Sequence, residues 1–245
     1  MSRALALVLF AAAVVLLASD PALAAPGGKI ARAAFESFWG RVLLAVLVIV
    51  FAPLIVLSLL KERRAARKAS ADLTYLARLS PAFRWIDLRE RALACFHRVH
   101  AAWSREDVSE AGEFMTDWYW QNQQLVVLDR WAAEGLVNHC DVKSVSKVKA
   151  ILVDPATDRP DFEGSKVVLA ISANMRDYLA RRDTDEIVEG NRKYKDVEFL
   201  WTFALEDGQW KVSHIDESAM LDEYLEMARA LPKAADAVRA PGTGA

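Results

Sequence analysis

Residues 197–216, VEFLWTFALEDGQWKVSHID, decide the fold. From Val197 the apolar side chains fall on every second position, at Val197, Phe199, Trp201, Phe203 and Leu205. A period of two is that of a strand with one buried face. Asp207-Gly208 follows, a dipeptide that tolerates the positive φ values of a tight hairpin turn, and Trp210 and Val212 resume the alternation. The segment predicts two antiparallel strands, 197–205 and 210–216, joined by that turn.

Upstream, residues 141–153 and 166–179 are also rich in β-branched and apolar residues, with turn signals at Asp154-Pro155 and 161–164. Four such runs in succession predict a meander. Ahead of them the period changes. Apolar residues recur at 85, 88, 92, 96, 99 and 103, the spacing of an amphipathic helix, and Asp87 with Glu90 is placed for a capping box. Helices are also expected at 107–115 and 118–134. The second turns Trp118, Leu125, Leu128 and Ala132 inward, and Gly135 follows its end. A last helix, 218–231, stops at Pro232, and the Ala/Gly/Pro-rich stretch 232–245 is expected to be a disordered tail. Three helices, four strands and a helix make an α+β domain over 81–231, a curved antiparallel sheet with helices on one face.

The amino-terminal quarter has another composition. Residues 4–18 are uniformly apolar after Arg3 and lead to Ala22-Leu23-Ala24, the pattern of a signal peptide over 1–24, with an uncleaved first helix as the alternative. After a short outside segment, 25–40, the run Val42–Leu60 carries no charge. At 1.5 Å per residue it spans ~28 Å, enough for a bilayer core, so 41–60 is expected to be a transmembrane helix. Lys61, Arg63, Arg64, Arg67 and Lys68 follow it, against Lys29, Arg32 and Arg41 before it. The positive-inside rule then puts the domain in the cytoplasm, and the five basic residues are candidates for the membrane surface. Residues 61–80, rich in Ala and Arg, are expected to extend the helix as a stalk.

Charge excludes one class of partner. Residues 1–68 carry 9 basic and 3 acidic side chains, residues 69–245 carry 22 and 30. A body with a net charge of −8 repels phosphate, so no nucleic-acid partner is expected. Cys95 and Cys140 form no CxxC, as suits reduced thiols. His97, His100, His139 and His214 lack metal-ligand spacing, and no GxSxG, P-loop or GxGxxG is present, so neither metal nor cofactor is expected. Counting by twos puts Asp177 on the face of Val167, Leu169, Ile171, Ala173 and Met175, and His214 and Asp216 beside Trp210 and Val212. A carboxyl in an apolar hollow could serve as a general base. The structural alternative is a solvated strand-end carboxylate paired with Arg176, Arg181 or Arg182.

The segment Phe96–Trp103 with Asp107, Gly135 with Asn138, Asp177-Tyr178, Val188-Glu189-Gly190 and above all Val197–Asp216 resemble the Tim44-like domain family, a branch of the NTF2-like cone fold. The resemblance covers 83–231. It implies a cone with a large apolar pocket, here lined by Phe199, Trp201, Phe203, Met175, Asp177 and His214. It also implies a non-catalytic scaffold, linked to protein translocation or membrane-protein assembly, that recruits a protein or lipid at the bacterial inner membrane. The mitochondrial member tethers the import motor's Hsp70 to the translocation channel, whereas this chain carries its own apolar run. The alternative is an NTF2-like isomerase or dehydratase acting on a small apolar substrate through Asp177 or the His214/Asp216 pair.

Overall fold

The computed structural model describes residues 38–239, without the side chains of 38–41, 43–45 and 47. The expected signal peptide, residues 25–37 and the tail end 240–245 lie outside the described residues. Two compact units divide between Arg63 and Arg64.

The described part of the first unit is the opening of helix α1 (Phe38–Leu76), which takes in the uncharged run Val42–Leu60. Ile49, Val50, Leu54, Val56 and Leu57 on it are exposed. Among the described residues no helix is long and apolar enough to cross a membrane.

In the second unit α1 is no free stalk. Ala65, Ala69, Leu73 and Leu76 are buried at helical spacing. The expectation from 61–80 rested on helix propensity, which says nothing about a packing face made largely of alanine. The helix ends at Leu76, and Ser80 caps a 3₁₀ turn (Pro81–Phe83) by accepting the Ala82 N–H. Helix α2 (Trp85–Ser104) then buries Leu88, Ala92, Phe96 and Val99, the middle four of the six predicted positions, while Trp103 is half-buried and Trp85 exposed. The capping box does not form. Arg84 is the N-cap residue without a side-chain bond, and Asp87 pairs with Arg84 at 2.8 Å.

Residues 108–114 are a 3₁₀ helix rather than an α-helix, opened by the Asp107 carboxylate, which accepts the Ser109 N–H at 3.0 Å. Next come α3 (Asp117–Asn122), a π-helical turn (Gln123–Leu128) and α4 (Asp129–Ala133). The wider π turn resets the helical phase. Tyr119 and Leu128 are therefore buried, while Trp118 and Leu125, expected inside, are each 68% exposed. Gly135 follows with φ +69°, as expected of a residue just past a helix end.

The four strands are β1 (Leu136–Asp154), β2 (Lys166–Arg181), β3 (Ile187–Glu206) and β4 (Gln209–Glu217), an antiparallel meander in chain order. Asp207 (φ +55°) and Gly208 (φ +72°) make the predicted turn, and the Glu163 carboxylate accepts both of their N–H groups, at 2.9 and 2.6 Å. Strands β1 and β3 start earlier than the apolar pattern does. Residues 187–196 are exposed on both faces, so they leave no alternation to detect; backbone pairing with β2, such as Tyr178 opposite Gly190, holds them. Three register shifts against β2 interrupt β1; bulges of this kind bend a strand.

Both faces of the sheet are covered. One face carries Leu169, Ile171, Met175, Trp201, Phe203 and Val212 against α1 and α2. The other carries Leu152, Val168, Ala170 and Leu200 against Leu221, Leu225 and Ala228 of α5 (Leu221–Ala230). The expectation of helices on one face is thus corrected: strand positions 168, 170 and 200 are apolar on the reverse side, the mark of a doubly covered sheet.

The carboxyl-terminal stretch is also corrected. A short helix, α6 (Ala234–Arg239), stands where a tail was expected. Asp72, 4% exposed, anchors its start. Its carboxylate accepts the Ala234 N–H at 2.9 Å and the Lys68 ammonium at 3.1 Å, and Lys68 also donates to the Pro232 carbonyl at 3.0 Å. Asp72→Ala is expected to cost ~1–3 kcal/mol in denaturant melts, because it strands a buried N–H and an ammonium. Proteolytic cleavage near Pro232 should accelerate in parallel.

Candidate functional site

The inner face of β2 and β3 is where a cone would hold its ligand. Trp201 is fully buried there, with ring centroids 5.0 Å from Phe96 and 5.5 Å from His100 on α2, and 6.3 Å from Phe203. Phe203 and Met175 are likewise buried, and Phe199 is half-buried at the margin. These side chains pack on one another and on α2. Four of the six expected pocket-lining residues therefore stand in or against one buried hydrophobic cluster on this face.

His100 closes this core. Its Nδ1 lies 2.7 Å from the Phe96 carbonyl, which can only accept, so that nitrogen carries the proton. Burial lowers its pKa to about 4, against smaller upward effects of the Phe96 bond and the Asp177 charge. The ring is neutral at pH 7.

Asp177 stands on the inner face, as the count by twos predicted, half-buried opposite Cys140 of β1. Among the described residues it has no arginine partner. Arg176 pairs with Asp141 at 3.3 Å, Arg181 with Glu186 at 3.7 Å and Arg182 with Glu106 at 2.5 Å. Asp177 instead accepts the Asn138 Nδ2 at 2.9 Å. Asn138 is itself buried, and its Oδ1 has no hydrogen-bond partner among the described residues.

The second acid–base pair is not on this face. An extra residue in β4 separates Val212, opposite Phe203, from His214, opposite Thr202. That bulge switches the parity of the strand. His214, 52% exposed, and Asp216 therefore sit opposite Thr202 and Leu200, where the two residues pair at 3.1 Å and Tyr224 donates to Asp216 at 2.6 Å. A count by twos cannot register an inserted residue, which is why sequence reasoning placed them beside Trp210.

A hollow of about 110 Å³ opens at the edge of β1, away from Trp201. Ser104 ends α2 on one side of it, and Asn138, His139, Asp141, Arg176 and Tyr178 line the rest. Of these, the sequence pointed to Asn138 only through the family motif. Cys140 also borders it; burial first, then the Asp177 and Asp141 charges, push its thiol up to about 12. Both cysteines are free. Among the described residues no group of three or more His, Cys, Asp or Glu is arranged to hold a metal ion.

Of the basic candidates, Lys61, Arg63, Arg64 and Arg67 are solvent-exposed. Lys68 is committed to the Asp72 and Pro232 clasp and is not available to a surface.

The Tim44-like domain profile matches residues 69–217, which run from the buried end of α1 through β4. The chain belongs to the Tim44-like domain family. Helices α5 and α6 lie beyond the Tim44-like match, so Leu221, Leu225 and Ala228 of the second apolar layer come from outside the matched region. Among solved structures, the intermembrane space region of the chloroplast protein ARC6 is similar at 11% identity and a TM-score of 0.36, covering 52% of this chain and 95% of that one. No curated protein matches the chain by sequence.

Proposed function

We propose that this Tim44-like chain is a membrane-anchored, non-catalytic binding domain. It recruits a protein or lipid ligand at the cytoplasmic face of the bacterial inner membrane, in support of protein translocation or membrane-protein assembly. The observation that carries the binding role is the packed inner face: Trp201, Phe203 and Met175 belong to one buried cluster with α2, and the His214/Asp216 pair lies on the far side of the sheet. What supports the anchor is the run Val42–Leu60 within α1 and the exposed Lys61, Arg63, Arg64 and Arg67 after it.

The placement is tested by fusing reporters at Ala245, after the docked helix α6. A fluorescent protein that matures only in the cytoplasm is expected to light up at that junction, and the fusion should sediment with membranes after a carbonate wash. Alkaline phosphatase activity at the same junction would reverse the orientation. Recruitment is tested by isolating the tagged full chain from membranes: a stoichiometric companion or retained lipid is expected, and a chain that emerges bare contradicts the reading.

A further inference from the structure

Three large apolar side chains stand in solvent on one short stretch. Trp118 and Leu125 are each 68% exposed and Val126 is 53% exposed, whereas Tyr119 and Leu128 of the same stretch are buried. Trp118 and Leu125 are seven positions apart and Val126 follows, so the three share the outward face of the segment formed by α3 and the π turn. Single exposed apolar residues are ordinary on a folded surface, but three on one face mark an interaction site.

The frame of that face is acidic. Residues 105–134 hold seven acidic and two basic side chains, a net charge of −5. Both of those arginines are paired, Arg105 with Glu110 and Arg130 with Glu134 at 4.0 Å. Asp117 and Asp129, one toward each end of the face, are exposed and have no ion-pair partner among the described residues. Asp117 accepts the Trp120 Nε1 at 3.3 Å, and Asp129 accepts the Gln124 amide at 2.8 Å. Of the cations on neighbouring elements, Lys211 reaches Asp117 with its field but is paired with Asp207 at 3.0 Å, and Arg91 and Arg98 lie over the Phe114 ring. With these two arginines added to the net charge of −5, the balance is still −3.

We propose that this face docks a basic amphipathic helix of a protein partner. The apolar side of such a helix covers Trp118, Leu125 and Val126, ridges of one helix entering grooves of the other, while Lys or Arg on its flanks reach Asp117 and Asp129. Charge decides among the occupants. A second copy that met this face with its own would set acid against acid, and an anionic lipid surface is repelled in the same way. The net charge of −8 over residues 69–245 draws a basic segment from a distance. The inference rests on the recruitment reading and deepens it by naming the chemistry of the partner.

The test uses the full chain in zwitterionic nanodiscs, with empty nanodiscs as the blank, and two labelled amphipathic peptides of equal length, one built of Leu and Lys and the other of Leu and Glu. Fluorescence anisotropy is expected to show the Leu/Lys peptide binding saturably, and more weakly as salt is raised, and the Leu/Glu peptide not binding. Trp118→Ser combined with Leu125→Ser is expected to weaken binding about tenfold or more, with the melting temperature unchanged because both side chains already stand in water. Asp117→Asn combined with Asp129→Asn keeps both hydrogen-bond acceptors and should weaken binding severalfold while flattening its salt dependence. Equal binding of the Leu/Glu peptide, or undiminished binding by either double variant, overturns the proposal. So does the loss, in the Trp118→Ser/Leu125→Ser chain, of self-association or of binding to phosphatidylglycerol vesicles, which would assign the face to a second copy or to lipid. Isolated from membranes, that variant should come without the companion of the unaltered chain. A variant that keeps the companion overturns this docking face and leaves recruitment standing, whereas an unaltered chain that emerges bare contradicts recruitment and this partner with it.

Discussion

Replacing Trp201 with alanine is expected to destabilise the second unit by ~3–5 kcal/mol, a large share of the total for a domain of this size. The side chain is fully buried, lies across Phe96, His100 and Phe203, and is paired through its backbone with Leu169 on β2 and Ile215 on β4. Three elements meet on it, so no single neighbour can collapse into the space it leaves. One term opposes the loss: the Trp201 Nε1 has no hydrogen-bond partner, and removing an unpaired buried N–H returns part of its desolvation cost. Trp201→Phe bears on the balance of the two effects, because it keeps a packed aromatic ring while deleting the orphaned donor with part of the indole. It is expected to cost less than half as much as the alanine. Denaturant melts of residues 64–245 measure both, and a change below ~1 kcal/mol for the alanine would show that the ring is not packed as described.

What the sequence made legible is what repeats. The period of two from Val197 to Leu205 and the Asp207-Gly208 turn identified the central hairpin, and the helical spacing identified the buried stripe of α2 from Leu88 to Val99. Three kinds of feature escaped it for physical reasons. Inserted residues break a count without changing composition: the bulge after Val212 moved His214 and Asp216 off the inner face, and the π turn at Gln123–Leu128 turned Trp118 outward. Small side chains hide packing, as Ala65 and Ala69 do, since alanine is as common on exposed helices as at close helix contacts. Polar pairs brought together by register, such as Asn138 with Asp177, stand 39 positions apart and have no local signature at all. The last kind leaves nothing for a sequence pattern to detect, so the fold was far easier to read than the side-chain clusters.

Acidification is expected to weaken the domain through His100. In the folded state burial lowers this histidine to about 4, against its ordinary 6.5. The charged and titratable groups that face it are Asp177 on β2, which pulls the value up, and His97 on α2, which pushes it down. Between these two values the unfolded chain binds a proton that the folded chain refuses, so stability is full above about pH 6.5 and declines as pH falls toward 4. The loss over that window is ~3 kcal/mol, enough to unfold a marginal domain. Carboxylates also titrate near its lower end, so the informative comparison is with His100→Gln, which can keep a donor toward the Phe96 carbonyl but has no proton to gain. That variant should lose the slope of melting temperature against pH between about 6.5 and 5, while Asp177→Asn should leave it nearly unchanged, because the folded ring already holds almost no proton in this interval. A wild-type midpoint that holds level or rises across this interval would mean that His100 accepts its proton in the folded state, and that the inner face of the sheet is open to water after all.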